Sequence, residues 1–299
     1  MIRPCQFFSN PQTADSNKFQ GRSKLSDKEL QEAALNEFDA LVSKLREANM
    51  NVCVFDDTSD PITPDSVFPN NWVSFHSDGT VVLYPMEAEN RRLERRLDII
   101  HALRDQHGFD VKKIIDMTYL EDQQEYLEGT GSMILDHINK IVYACLSSRT
   151  HKDALLEFSK IMGFSLVAFC AKDASGSDVY HTNVIMSLGE KLAVLCEDAI
   201  PIDSEKKKIK DNLQKSGHEI INISLDQMTS FAGNVLEVIS NSHEHLMLMS
   251  ERAEKSLSKK QKSIIKKYSR IISSPIHNIE DSAGGSVRCM IAEISLPRK

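Results

Sequence analysis

Three residues suited to nucleophilic catalysis lie far apart in this 299-residue chain. They are Glu128 in "YLEGTGS", His181 in "VYHTN" and Cys289 in "GGSVRC". A thiolate is a strong nucleophile, an imidazole carries protons, and a carboxylate binds or orients nitrogen donors. Taken singly, each has an ordinary role: a surface acid, a hydrogen-bonding histidine, a small buried thiol. Together they form a coherent set only if the fold brings them to one place. Arg288 sits next to the thiol, but strand alternation would put it on the opposite face, so it is not expected to activate Cys289.

The elements that must do the positioning repeat. Each unit reads as strand, turn, strand, helical stretch, strand. "NNWVSFHSDGTVVLYPM", with Asp78-Gly79 at its turn, runs into "NRRLERRLDIIHALRDQ". "GSMILDHINKIVYACL" leads to a helix from about Lys152 to Met162 and then "SLVAFCA". "TNVIMSLGEKLAVLCED" precedes "SEKKKIKDNLQKSG" and "EIINIS", and "GNVLEVISNSHEHLMLMS" precedes "SERAEKSLSKKQKSIIKKY" and "RIISS". The last stretch, "GGSVRCMIAEISL", opens a fifth unit that only the amino-terminal strand could complete. Hairpin starts near Asn71, Ser132, Asn183, Val235 and Ser286 recur about every fifty to sixty residues, a period typical of propellers. A helix in each unit makes the blades α/β, and the frequent hairpins argue against a doubly wound parallel sheet. Residues 1–299 are therefore expected to form one closed α/β domain. A polar cluster precedes each unit: Asn70 and Asn71, Glu128, His181 and Asn183, Asn234, and Cys289. In a ring these clusters converge on the axis.

Composition bounds the rest. An apolar fraction of 41% and a charged fraction of 26% suit a chain with a sizeable core. A formal net charge of -7 disfavours nucleic acid and anionic membranes as partners. No segment approaches the ~18 apolar residues of a membrane span, and the start lacks a signal-like apolar core. The six cysteines are scattered without metal-ligand spacing, and four lie in apolar runs, which suggests reduced thiols and a cytoplasmic location. His76, His137, His243 and His245 fall at turns where solvation is expected. No cofactor and no metal are implied.

The stretches "FPNNWVSFHSDGTVVLYPM", "LEGTGSMILD", "ACLSSRT", "YHTNVIMSLG", "SFAGN" and "GGSVRCM" resemble the amidinotransferase superfamily, the penteins. Within it they look closest to citrulline-utilisation hydrolases, over nearly the whole chain. The resemblance implies a five-bladed α/β propeller with fivefold pseudosymmetry and attack on guanidino or ureido carbons. It assigns Cys289 as nucleophile, His181 as acid/base and Glu128 as the carboxylate that orients substrate nitrogens. Arg149 in "LSSRT" matches an arginine that binds the substrate α-carboxylate; Arg91 in "NRRLE" matches a second, with Arg92 the competing choice. Asn71, Asn183 and Asn234 complete the expected substrate contacts.

Many deiminases carry aspartates where this chain has Asn71 and Asn183. Two formal charges are thereby removed, and an amide, which both donates and accepts, suits a neutral ureido group. The leading expectation is thus a citrulline hydrolase giving ornithine, ammonia and carbon dioxide. The alternative is a guanidino-modifying enzyme: an arginine or methylarginine hydrolase, or an amidinotransferase. A catalytically silent binding protein is a weaker third reading. The partners anticipated are a small amino-acid substrate and, as a self-partner, a homodimer.

Overall fold

The structure, a computed structural model, describes residues 1–21 and 23–299. Four hairpins each acquire a third, parallel strand. Val73–Phe75 pairs antiparallel with Thr80–Leu83, which pairs parallel with Lys113–Asp116. The same pattern joins Ile134–Asp136, Ile141–Cys145 and Ser165–Phe169. It recurs in Met186–Leu188, Leu192–Leu195 and Glu219–Asn222, and again in Leu236–Ile239, His245–Ser250 and Arg270–Ser274. A parallel partner cannot be reached by a tight turn, so each unit crosses over through helix. These crossovers are Glu89–Arg92 with Leu97–Asp105, Lys152–Met162, Asp203–Lys215, and Glu251–Ser256 with Lys259–Tyr268. The middle strands are apolar on both faces because the helix covers one side and neighbouring units the other. Val81, Val82, Val142, Ala144, Ala193 and Leu195 are accordingly buried.

The fifth unit departs from expectation. "GGSVRCMIAEISL" forms no hairpin. The Cys289 amide donates to Ser286 O at 2.9 Å and the Met290 amide to Val287 O at 3.2 Å, so the chain turns here. It then runs along the first unit, bridging Ile294 to Phe75 and Arg298 to Phe109. The amino-terminal strand Ile2–Arg3 pairs instead with Phe55–Asp56, in parallel. That pairing requires a crossover, and the longest helix, Asp27–Glu47, supplies it. Ser26 and Glu29 close a capping box at its start, and Leu30, Ala34, Phe38, Leu41 and Leu45 form its buried stripe. His76 also differs from expectation. It is buried, with Nε2 2.8 Å from Ser74 Oγ, and burial first, then the charge of His137, lowers its pKa to about 4.

Just before each first strand the chain makes a short turn: Pro69–Asn71, Gly129–Ser132, Thr182–Ile185, 231–234 and 287–290. These turns touch in sequence. Thr130 Oγ1 donates to Asn70 O at 3.4 Å, Thr182 Oγ1 to Ser132 O at 2.5 Å, and Asn234 Nδ2 to Asn183 O at 3.1 Å. Asn234 Nδ2 also reaches Cys289 Sγ at 3.3 Å, and a Cβ on Gly285 would come within 2.7 Å of the Phe68 ring.

Gly233 is a point where this packing tolerates no side chain, since a Cβ there would lie 2.2 Å from the Val184 carbonyl oxygen. That neighbour is backbone and cannot swing aside. Gly233→Ala is expected to destabilise the fold by about 1–3 kcal/mol, read as a lower urea midpoint at unchanged slope.

Candidate active site

Glu128 is fully buried at the head of the Gly129–Ser132 turn. Its amide donates to Ser132 Oγ at 2.9 Å, and Ser132 Oγ donates to Arg149 O at 2.9 Å, which fixes the turn. The carboxylate collects partners from three units. Oε2 lies 2.8 Å from His181 Nε2, 3.5 Å from Arg149 Nη1 and 3.7 Å from Arg91 Nη1; Oε1 accepts the Glu87 amide at 3.2 Å. Burial opposes ionisation, but the Arg149 charge, the His181 hydrogen bond and Arg91 together hold the carboxyl well below its usual range.

His181 is buried beside it. Burial lowers its pKa to about 4, against the opposing pull of Glu128 and with the help of Arg149 and Arg91. A neutral imidazole facing an ionised carboxylate must carry its proton on Nε2, because the carboxylate only accepts. Nδ1 is then an unprotonated base. Its side of the ring abuts Gly131, where a Cβ would fall 2.7 Å from Nδ1, so only glycine leaves the imidazole its place.

Cys289 sits on the 287–290 turn and lines the same pocket as His181. Asn183 Nδ2 lies 3.4 Å and Asn234 Nδ2 3.3 Å from its sulfur. Behind the turn, Tyr180 donates its hydroxyl to Gly284 O at 2.6 Å and Ser286 Oγ donates to the buried Glu280 at 2.7 Å. Arg288 points away, to Ile291 O at 3.0 Å and Glu293 at 2.7 Å.

The two arginines differ. Arg149 directs Nε and Nη2 onto Ser16 Oγ at 3.1 and 2.7 Å, with Nη2 also on Thr13 O at 3.2 Å. Arg91 spends its fork on Glu94, at 2.8 and 3.0 Å, and gives Nη1 to Asn71 Oδ1 at 2.9 Å. Of the two candidates in "NRRLE", Arg91 lines the pocket, whereas Arg92 bonds Met86 O and Glu87 O.

Sequence reasoning passed over several residues that the fold brings here. Asp65 lines the pocket, with Oδ2 on Asn10 Nδ2 at 2.7 Å, the Arg91 Nε 3.7 Å away, and Oδ1 buried without a partner. Its one sequence signal is a carboxylate placed just ahead of "FPNNW". Tyr180 lies 5.1 Å below the Arg149 guanidinium and 4.6 Å from the His181 ring. The segment 10–20, which has no periodicity, closes the site from above. Asn17 Nδ2 donates to Ala283 O at 3.0 Å, and Phe19 packs on Tyr180 and Phe231. The cavity between these residues is about 10 Å³, room for roughly one water. No group of three or more potential metal ligands occurs among the described residues, and no helix of the described chain is long and apolar enough to cross a membrane.

A buried thiol and a buried histidine thus line one pocket, with a clamped carboxylate hydrogen-bonded to the histidine. The family described as N,N dimethylarginine dimethylhydrolase, eukaryotic, matches residues 3–296, and the chain belongs to it. It is a cysteine-dependent hydrolase acting on carbon–nitrogen bonds other than peptide bonds. No curated protein sequence matches the chain. Among solved structures, the chain is similar to the N-terminal domain of ArgZ bound to substrate, an arginine dihydrolase from the ornithine–ammonia cycle in cyanobacteria. The identity is 18%, the cover 100% of this chain and 96% of that one, and the TM-score 0.73. Against full-length ArgZ the chain spans 40% of the partner's length, at TM-score 0.74 and 18% identity, with 98% of this chain covered. A dimethylarginine dimethylaminohydrolase adduct with S-methyl-L-thiocitrulline matches at 16% identity and TM-score 0.62, over 97% of this chain and 96% of that one. At these identities the likeness concerns the fold. Family membership favours the guanidino alternative over citrulline cleavage.

The low His181 pKa has a consequence for stability. Between 6.5 and about 4 the unfolded histidine binds a proton that the folded one refuses, so stability is lost as pH falls through that window. The loss from this group is about 3 kcal/mol, and His181→Gln should flatten that part of the stability–pH curve in urea titrations.

Proposed function

We propose that the chain hydrolyses the guanidino group of a free arginine-type amino acid. The observation that carries this reading is Asp65 Oδ1, a buried carboxylate oxygen without a hydrogen-bond partner in the pocket that Cys289 and His181 line. Arg91 Nε stands 3.7 Å from Asp65 Oδ2, but Oδ1 still lacks a donor, and a buried carboxylate oxygen costs free energy until a cationic N–H group satisfies it. A guanidino amino acid brings such cations, and family membership agrees.

Cys289 Sγ attacks the guanidino carbon, and the thiol proton passes to His181 Nδ1. His181 returns a proton to the departing nitrogen, so ammonia or an alkylamine leaves and a thiouronium remains on sulfur. Water, deprotonated by His181, adds to the same carbon and expels the thiolate, giving a ureido amino acid. Glu128 holds Nε2–H throughout and offsets the imidazolium charge. Arg149 takes the substrate carboxylate once Ser16 withdraws, because its Nε/Nη2 edge matches a carboxylate as a fork. An amino acid far exceeds one water in volume, so segment 10–20 lifts to admit it. The contacts from turn to turn support a closed five-bladed ring, and residues 1–299 act as one catalytic domain.

A second reading rests on Asn71 and Asn183. Neither is charged, so the pocket also suits the ureido product, and a further round on it would release ornithine, ammonia and carbon dioxide.

Product analysis over arginine, methylated arginines and citrulline decides the matter. Turnover of at least one guanidino compound is expected, with a loss of about a thousandfold or more in Cys289→Ser. Citrulline consumed while every guanidino compound stays inert would overturn the proposal. Two ammonia molecules per ornithine from arginine, without free citrulline, would mark the second reading.

A further inference from the structure

We propose that Asn183 and Asn234 are catalytic residues that form a two-donor cradle for the Cys289 thiolate. The inference rests on Cys289 being the attacking group. Both amide nitrogens point at one sulfur, at 3.4 and 3.3 Å, and among the described residues no other side chain hydrogen-bonds it. Both asparagines are fully buried on turns held by their neighbours, so the donors are in place before any charge develops.

The direction of the Asn234 amide is set by chemistry. Its Nδ2 also donates to the Asn183 backbone carbonyl at 3.1 Å, and a carbonyl can only accept. The nitrogen, not the oxygen, is therefore the atom lying 3.3 Å from sulfur. Asn234 Oδ1, at 3.7 Å, can receive the proton of the neutral thiol, so one amide serves both protonation states. Asn183 Oδ1 is buried without a partner, which leaves an acceptor open beside the sulfur for an N–H of the substrate.

This arrangement offers a reason for amides at these positions that is independent of substrate charge. A carboxylate at 183 or 234 would face the sulfur with an acceptor and a negative charge, both opposing the thiolate. The other titratable groups lining the pocket are His181, Asp65, Arg91, Arg149 and Tyr180. Arg91 and Arg149 are turned to Glu94, Glu128 and Ser16, so the amides provide the direct contacts to the reacting atom.

Alkylation by iodoacetamide tests the cradle without any substrate. Cys5 is exposed, and Cys53 and Cys170 are partly so, which makes peptide mass spectrometry the way to follow Cys289 alone. At neutral pH, Asn183→Asp and Asn234→Asp should each slow Cys289 alkylation about tenfold, and Asn183→Ala and Asn234→Ala several-fold. In strongly alkaline buffer all four should approach the wild-type rate, because hydroxide then ionises the thiol without the donors. A variant merely altered in packing or access would change both rates alike. Equal changes at the two pH values, or none, in the variants that retain wild-type circular dichroism would overturn the proposal. Failure of guanidino turnover would leave the alkylation ratio untouched, so the two readings fail separately.

Discussion

A buried carboxylate, Glu128, has its charge answered at once by an imidazole N–H, two guanidinium groups and a backbone amide. Those partners come from separate parts of the chain: His181 from the third unit, Arg149 from the second, Arg91 from the helical stretch of the first. Taking such an anion out of water is costly, and removing one partner of a buried pair costs about 3–5 kcal/mol. The three units are therefore held at the centre by one electrostatic demand. The same charge fixes the histidine tautomer, so a stabilising contact also leaves Nδ1 unprotonated.

The arginines show how a site can be complete and still closed. Arg91 is largely consumed by structure, with its fork on Glu94 and its remaining end on Asn71. Arg149 is held by a serine hydroxyl and a backbone carbonyl of the covering segment, both neutral acceptors, with the Glu87 carboxylate 3.4 Å from its Nε. A substrate carboxylate bonds more strongly to a guanidinium than a hydroxyl does. The covering segment thus occupies a position from which a charged ligand can displace it.

The polar groups around the sulfur bear on substrate choice. Asn71 faces Arg91, while Asn183 and Asn234 face Cys289. The inference of a neutral substrate from missing aspartates weakens once Asp65 is seen in the pocket. Charge that appeared lost at two positions is partly supplied from a third.

Repeat period, hairpins, crossover helices and the polar mouth of each unit could all be read from the chain. Hydrophobic alternation and Asp-Gly turns are local properties, and the Lys152–Met162 helix lies where periodicity puts it. The candidate residues Glu128, His181 and Cys289 stood out because each opens a unit, Glu128 and Cys289 close to glycine. Four features came only from tertiary structure: the turn at Cys289 in place of a strand, the pairing of Ile2–Arg3 with Phe55–Asp56, the burial of Asp65, and the strap over Arg149. All four depend on contacts between residues distant in sequence. The sign of a pocket's charge, the direction of an amide and the occupancy of a guanidinium are set by neighbours that no local pattern records.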